Sequence, residues 1–247
     1  MPGRKDGEMQ KIAIVTDFDG TLMEQDVGNV LMRELGIDVE PRVVELIQQF
    51  REKKIGSLPW IETAYPMLAG KQREVDEILT RVHLREGARD FIGFCREQEV
   101  PITVLSDGML YYIQQILAQQ QVAVNRIIGN PITYTEDGQF QFGVQNENPA
   151  CKWCGCCKAG VVKQLKEEGW KIVYIGDGSS DYFGSGFADW IFARSSLARY
   201  LTEEGTAFYP FQTFHDILKV LIADWEAFVN GSAARRLTGR VPAFCKF

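Results

Sequence analysis

Hydrophobic positions recur along the chain at two periods, and the alternation between them marks out its organisation. Residues 11–16, KIAIVT, form a short β-branched apolar run that stops at DFDGT, the pattern of a buried parallel strand ending in a polar loop. Helical spacing then takes over, at Val27, Val30, Leu31 and Leu35 and again at Val43, Leu46, Ile47 and Phe50, with Gly36 and Pro41 between the two segments. GSLPWIETAYPMLAG interrupts the period at Gly56, Pro59, Pro66 and Gly70, and the amphipathic REVDEILTRVHL follows, so residues 24–85 are expected to form a small helical insertion.

From Gly87 the chain alternates: helix GARDFIGFCREQ, strand VPITVLS ending in the polar loop SDG, then helix MLYYIQQILAQ. Residues 126–144 predict a β-hairpin of ITYT and QFQFGV about the turn Glu136-Asp137-Gly138. Helix AGVVKQLKEEG, strand WKIVYIG, the loop DGSSD, a short helix and a last strand near WIFAR complete the pattern. This predicts an α/β fold in which a parallel sheet is flanked by helices. Its core is residues 11–23 and 86–230, the helical insertion is 24–85, and residues 231–247 form a tail. The tail contains Arg235, Arg236, Arg240 and Lys246 and no acid, and is read as a flexible or surface-docked end rather than an interaction element.

Composition narrows the function. The 247 residues are 45% hydrophobic and 24% charged, enough for one large core and an accessory domain. No apolar run of about 18 residues occurs, and the opening MPGRKDGEMQ is polar, so a soluble, cytoplasmic protein is expected with no membrane partner. A net charge of −6 argues against a sequence-independent nucleic-acid binder. With only His83 and His215, there is little from which to build a multi-histidine metal site or a Ser-His-Asp relay. Both are read as structural or surface residues.

Asp17 and Asp19 lie two apart after a buried strand, with Gly20 allowing a tight path and Thr21 offering a hydroxyl. One carboxylate can attack phosphorus while the other, protonated, serves the leaving alcohol; the competing reading is a capped turn. Asp177 and Asp181 in GDGSSD also follow an apolar strand, and parallel topology brings both clusters to one carboxyl edge. Gathered carboxylates repel, and Mg2+, an oxygen-seeking ion that also binds phosphate, relieves this. Ser106 at a strand end and Lys158 at a helix start are placed to bind a phosphoryl group.

DFDGTL, the strand-ending Ser106, Lys158 and GDGSSD together resemble the haloacid dehalogenase superfamily of phosphatases over roughly residues 11–215. The resemblance implies a Rossmann-like core with a small helical cap, as in the phosphoserine phosphatase-like subclass. It further implies Asp17 as nucleophile and Asp19 as general acid/base, with Thr21, Ser106, Asp107, Gly108 and Lys158 around the substrate phosphate. Magnesium would be held by Asp17, the Asp19 carbonyl and Asp177, with Asp181 in support. Such an enzyme would act on a small phosphorylated metabolite, as a monomer or homodimer.

CKWCGCCK and GDGSSDYFGSGFADWIFARSSL are similar to the methionine-salvage phosphatases acting on 2-hydroxy-3-keto-5-methylthiopentenyl-1-phosphate, with phosphoserine and phosphoethanolamine/phosphocholine phosphatases as alternatives. Asp107 stands where the first two groups usually carry glycine, and an acid there leans towards an amine-bearing substrate. Cys151, Cys154, Cys156 and Cys157 fit zinc spacing poorly; a reduced loop that positions Lys158 is the preferred reading, and a redox pair of Cys154 with Cys157 another. Trp60, Tyr65 and Met67 form the insertion's own core or line an apolar pocket. Phosphonate cleavage, for which Lys53 and Lys54 would be the candidate cap lysines, and a catalytically silent binding protein are the competing classes.

Overall fold

A computed structural model describes residues 11–135, 139–237 and 245. The polar first ten residues, the hairpin turn Glu136-Asp137-Gly138 and the tail residues 238–244 and 246–247, with Arg240 and Lys246, lie outside the described residues.

Strand β1 (Ile12–Thr16) is buried along its whole length and pairs in parallel with β2 (Ile102–Met109) on one side and β6 (Lys171–Gly176) on the other. Strands β3 (Arg126–Asn130), β7 (Trp190–Ala193) and β8 (Tyr209–Pro210) extend it to a six-stranded parallel sheet of order β3-β2-β1-β6-β7-β8. Side chains alternate across the pleat. Ile12 and Ile14 therefore face a core shared with helices α5 (Ala88–Glu97), α6 (Leu110–Gln119) and α10 (Phe214–Asn230), while Ala13 and Val15 face the core of α7 (Lys158–Glu167), α8 (Ser179–Gly184) and α9 (Ser195–Glu203). This is the expected α/β sheet.

Between β1 and β2 lie helices α1 (Val27–Glu34), α2 (Pro41–Arg51), α3 (Leu58–Ala64) and α4 (Gln72–Leu79). The stretch that reads as irregular in sequence contains α3, because Pro59 falls in the first helical turn, where its missing N–H costs nothing. The chain enters and leaves this insertion through paired segments: Glu24 N–H donates to His83 O at 3.0 Å and Arg85 N–H to Leu22 O at 2.9 Å.

Three further features depart from the sequence pattern. β2 continues through Ser106, Asp107 and Gly108 to Met109, with a break in register against β3 after Leu105, where a polar loop is expected. β8 is a two-residue edge strand ending in Pro210, too short for periodicity to reveal and placed where proline is tolerated. The expected hairpin of residues 126–144 is shorter, because residues 126–130 form β3 of the main sheet; it pairs as β4 (Ile132–Tyr134) and β5 (Phe140–Phe142), and Tyr134 Oη bonds Leu68 O at 3.1 Å, tying it to the insertion. The start of the tail docks on the sheet: Arg236 lies over Trp190 and Arg235 over Tyr209.

Trp190 is fully buried in β7, edge-on to Phe228 at 5.0 Å. Trp190→Ala is expected to lower unfolding stability by about 3–5 kcal/mol in a urea titration, because a cavity replaces both the ring and its contacts; a loss under about 1 kcal/mol would mean the site collapses freely.

Candidate active site

β1 ends at Asp17, whose N–H donates to Ile175 O at 2.9 Å, and the irregular turn Phe18–Leu22 carries the chain across the carboxyl edge of the sheet. Gly20 makes this turn possible: its φ is +71°, and a Cβ would lie 2.9 Å from Asp177 Oδ2. One donor oxygen each from Asp17, Asp177 and Asp181 lies within 4.8 Å of the others. Lys158, 2% exposed, bridges the cluster through Nζ, at 2.7 Å from Asp17 Oδ1 and 2.8 Å from Asp181 Oδ1.

Asp181 is saturated. Its Oδ1 also accepts Tyr174 Oη–H at 2.7 Å, and its Oδ2 accepts the Asp177 and Gly178 N–H groups at 2.9 Å each. It therefore fixes Lys158 and the Asp177 backbone. Thr21, fully buried, donates its hydroxyl to Asp177 Oδ1 at 3.1 Å and does not border the cavity.

Asp19 is held from both sides. Oδ1 accepts the Val27 and Gly28 N–H groups at the N-terminus of α1, at 3.0 and 3.4 Å, where the helix dipole favours an anion. Oδ2 accepts Ser106 Oγ–H at 3.0 Å and Tyr112 Oη–H at 2.5 Å. Gly108 N–H donates to Ser106 Oγ at 2.9 Å, and a Cβ at Gly108 would meet Tyr112 Oη at 1.8 Å, so only glycine fits.

A cavity of about 830 Å3 opens above these groups, bordered by Asp17, Asp19, Ser106 and Asp177 from the sheet side and by Phe50 and Trp60 among the insertion residues. Tyr65 reaches the cavity as well as packing on Trp60 at 5.6 Å, whereas Met67 packs into the core.

Charge is unbalanced here. Burial and then Asp181 push Asp17 up, against the pull of Lys158. Burial, then Asp26, raises Asp19 to about 7, and burial, then Asp181, raises Asp177 to about 6. At Lys158 burial favours the neutral amine, but Asp17 and Asp181 outweigh it and keep the ammonium. Three carboxylates against one ammonium fit a divalent cation bound through oxygen.

The chain matches the family described as “Putative Phosphatase” over residues 12–203. It belongs to that family. It is also similar to proteins named 2-hydroxy-3-keto-5-methylthiopentenyl-1-phosphate phosphatase from Brevibacillus brevis, 26% identical over 86% of this chain and 96% of that one, and from Lysinibacillus sphaericus, 28% identical over 85% and 94%. Among solved structures, a phospho-aspartyl intermediate analogue of phosphoserine phosphatase superposes with a TM-score of 0.63 at 21% identity, covering 85% of this chain and 98% of that one. A substrate-bound phosphoserine phosphatase gives 0.63 at 20%, covering 86% and 99%. The expected haloacid dehalogenase fold and the class of phosphoric monoester hydrolase are thus borne out.

Asp107 lies beside the phosphatase cavity, but its carboxylate accepts the Ser57 hydroxyl at 2.8 Å and the Cys156 N–H at 2.6 Å. It is not held out for an amine. The clustered cysteines form no disulfide, and among the described residues no three of their sulfurs come within 4.8 Å of one another. Burial foremost, then Asp107, pushes the Cys154 and Cys156 thiols up, which disfavours the thiolates that zinc needs. His83 is exposed, and His215 pairs on the surface with Asp90 and Glu86.

Three polar groups at this site give little sequence signal. Arg85, 8% exposed, donates to the carbonyls of Gly20 at 2.6 Å and Thr21 at 2.8 Å, and Arg194 Nη1 donates to Gly20 O at 2.8 Å. Together they clamp the turn between Asp19 and Thr21. Tyr112 reads as one more aromatic on an apolar helix face, and only its hydroxyl reveals the contact with Asp19.

The raised carboxylates have a thermodynamic consequence. The folded state holds the protons of Asp177 and Asp19 up to about pH 6 and 7, above the unfolded carboxylate value of about 4, so their stabilising contribution is present at low pH and lost as pH climbs through that interval. Without divalent cations the melting temperature is expected to fall between about pH 4 and about pH 7, and magnesium to raise it more at the upper end. A flat or rising metal-free profile in thermal melts with EDTA would contradict this electrostatic account.

Proposed function

We propose that this phosphatase is magnesium-dependent and transfers the phosphoryl group of a small metabolite to Asp17 before releasing it to water. The observation that carries this reading is the division of labour between two carboxylates on one turn: Asp17 is paired with the Lys158 ammonium at 2.7 Å, while Asp19 is held among N–H and O–H donors at about 7. With a bound cation offsetting the burial and the Asp181 charge that push Asp17 up, a carboxylate ion-paired to lysine is suited to in-line attack, and a carboxyl poised near neutrality to proton transfer. Asp19 would protonate the departing alkoxide and then take a proton from the water that attacks the aspartyl-phosphate. Lys158 would stay charged throughout and draw the phosphoryl oxygens towards Asp17.

Asp17, Asp177 and the Asp19 carbonyl are the groups proposed to hold magnesium, which when bound supplies positive charge to the phosphoryl oxygens. Asp181 supports them from behind. Residues 24–85 are proposed to act as a cap, a reading supported by the α1 N–H groups on Asp19 and by the cap side chains that border the cavity. Closure would exclude water from the reacting group.

For the substrate we propose 2-hydroxy-3-keto-5-methylthiopentenyl-1-phosphate. The names of the similar proteins support it, as does the apolar wall of Ile47, Phe50, Trp60 and Ile61, which suits a thioether tail. With the Asp107 carboxylate engaged by Ser57 and Cys156, the lean towards an amine-bearing substrate loses its basis.

Phosphate release should be assayed with this compound, phosphoserine, phosphoethanolamine and phosphocholine, with and without EDTA. The account predicts one preferred ester, hydrolysis abolished by EDTA and by Asp17→Asn, and a loss of about 10²–10⁴-fold for Asp19→Asn. Asp17→Asn at parental rate would remove the nucleophile assignment, and preference for an amine-bearing ester would overturn the substrate.

A further inference from the structure

Asp107 makes contacts that a phosphate-binding role does not call for. Its two carboxylate oxygens accept from different parts of the chain: the Ser57 hydroxyl, between α2 and α3, at 2.8 Å, and the Cys156 N–H, in the loop before α7, at 2.6 Å. Its own carbonyl accepts Asn130 Nδ2–H at 2.6 Å and Tyr65 Oη–H at 3.3 Å, which fixes the end of β2 against β3 and the insertion.

Ser57 and the cysteine loop also bond directly. Gly155 N–H donates to Ser57 Oγ at 2.9 Å and Leu58 N–H to Trp153 O at 3.2 Å. Gly56 lies flat on that loop: a Cβ there would fall 1.8 Å from Trp153 O, so no side chain fits between the two segments. Two residues beyond Cys156 is Lys158, whose N–H bonds back to Cys156 O at 2.9 Å and whose ammonium bridges Asp17 and Asp181. One carboxylate thus links the end of β2, the insertion and the loop that carries the lysine.

We infer that Asp107 is a positioning residue that locks the Ser57 segment onto the loop 153–157, so that closure of the insertion and placement of Lys158 against Asp17 occur together. Ionised, it is the one acceptor in this contact able to serve both donors at once, and its loss leaves the Cys156 N–H and the Ser57 hydroxyl to be satisfied separately. The effect on turnover rests on the phosphatase reading, whereas the lock itself does not.

The test uses the full chain with magnesium, p-nitrophenyl phosphate for turnover, and iodoacetamide labelling mapped by mass spectrometry for Cys156, which is fully buried. Asp107→Ala and Ser57→Ala are each expected to lower kcat about tenfold with KM changed less than about threefold, and the double variant to lose no more than either single one, as for partners in one contact. Each should raise the labelling rate of Cys156 about tenfold at a melting temperature within a few degrees of the parent. Asp107→Asn, which keeps an acceptor for Cys156 and a donor for Ser57 Oγ, should restore most of both.

Losses that multiply in the double variant, or Cys156 as protected in Asp107→Ala as in the parent, would overturn the lock. Should the parent turn over no ester, the labelling still decides the lock, and the phosphatase reading falls alone.

Discussion

Lys158 holds a full positive charge at 2% exposure, with Asp17 and Asp181 within 2.8 Å. An ammonium taken this far out of water costs several kcal/mol unless fixed acceptors replace its hydration, and removing one partner of such a pair leaves the other charge uncompensated. Much of the local structure serves this requirement. β1, β6 and α7 deliver Asp17, Asp177 and Lys158 to one edge of the sheet, and Asp181 is pinned by Tyr174 and two backbone N–H groups so that one oxygen stays aimed at the ammonium. The arrangement is a poor way to gain stability, and it suits the proposed role of Asp17, an anion held against a cation at the edge of the cavity.

The same logic explains why the surrounding side chains are turned towards these carboxylates and the turn that carries them. Thr21 serves Asp177, Ser106 and Tyr112 serve Asp19, and Arg85 with Arg194 serves the Gly20 carbonyl. The N-terminus of α1, the first helix of the insertion, donates to Asp19 as well. The position of the insertion and the environment of the proposed acid/base are therefore linked directly, through the α1 N–H groups on Asp19, rather than through a long-range pathway.

The four central strands of the sheet were legible because they are buried, apolar and separated by strong helical periods, and the acidic clusters because both end such strands. Parallel topology then required Asp17 and Asp177 to meet. Periodicity did not reveal α3, where Pro59 looks like a breaker and is a helix start, β3, which runs straight into the hairpin, or β8, which is two residues long. Nor could it assign hydrogen-bond partners. Thr21 and Asp107 are polar residues beside a motif, and nothing in their spacing says that one turns to Asp177 and the other to Ser57 and Cys156. Tyr112 and Arg85 were hidden for the complementary reason: their apolar stems obey the core pattern or sit in a linker, and only the polar ends carry the site contacts.

The central claim is that Asp17 becomes phosphorylated, and it is tested most directly by trapping. The protein, mixed with magnesium and a hydrolysable phosphomonoester, would be quenched in acid during turnover and treated with borohydride, which reduces an acyl phosphate to the alcohol. Peptide mass spectrometry should find homoserine at position 17, dependent on both substrate and magnesium. Rapid phosphate release with Asp17 unmodified, or with the reduced residue elsewhere, would contradict the account.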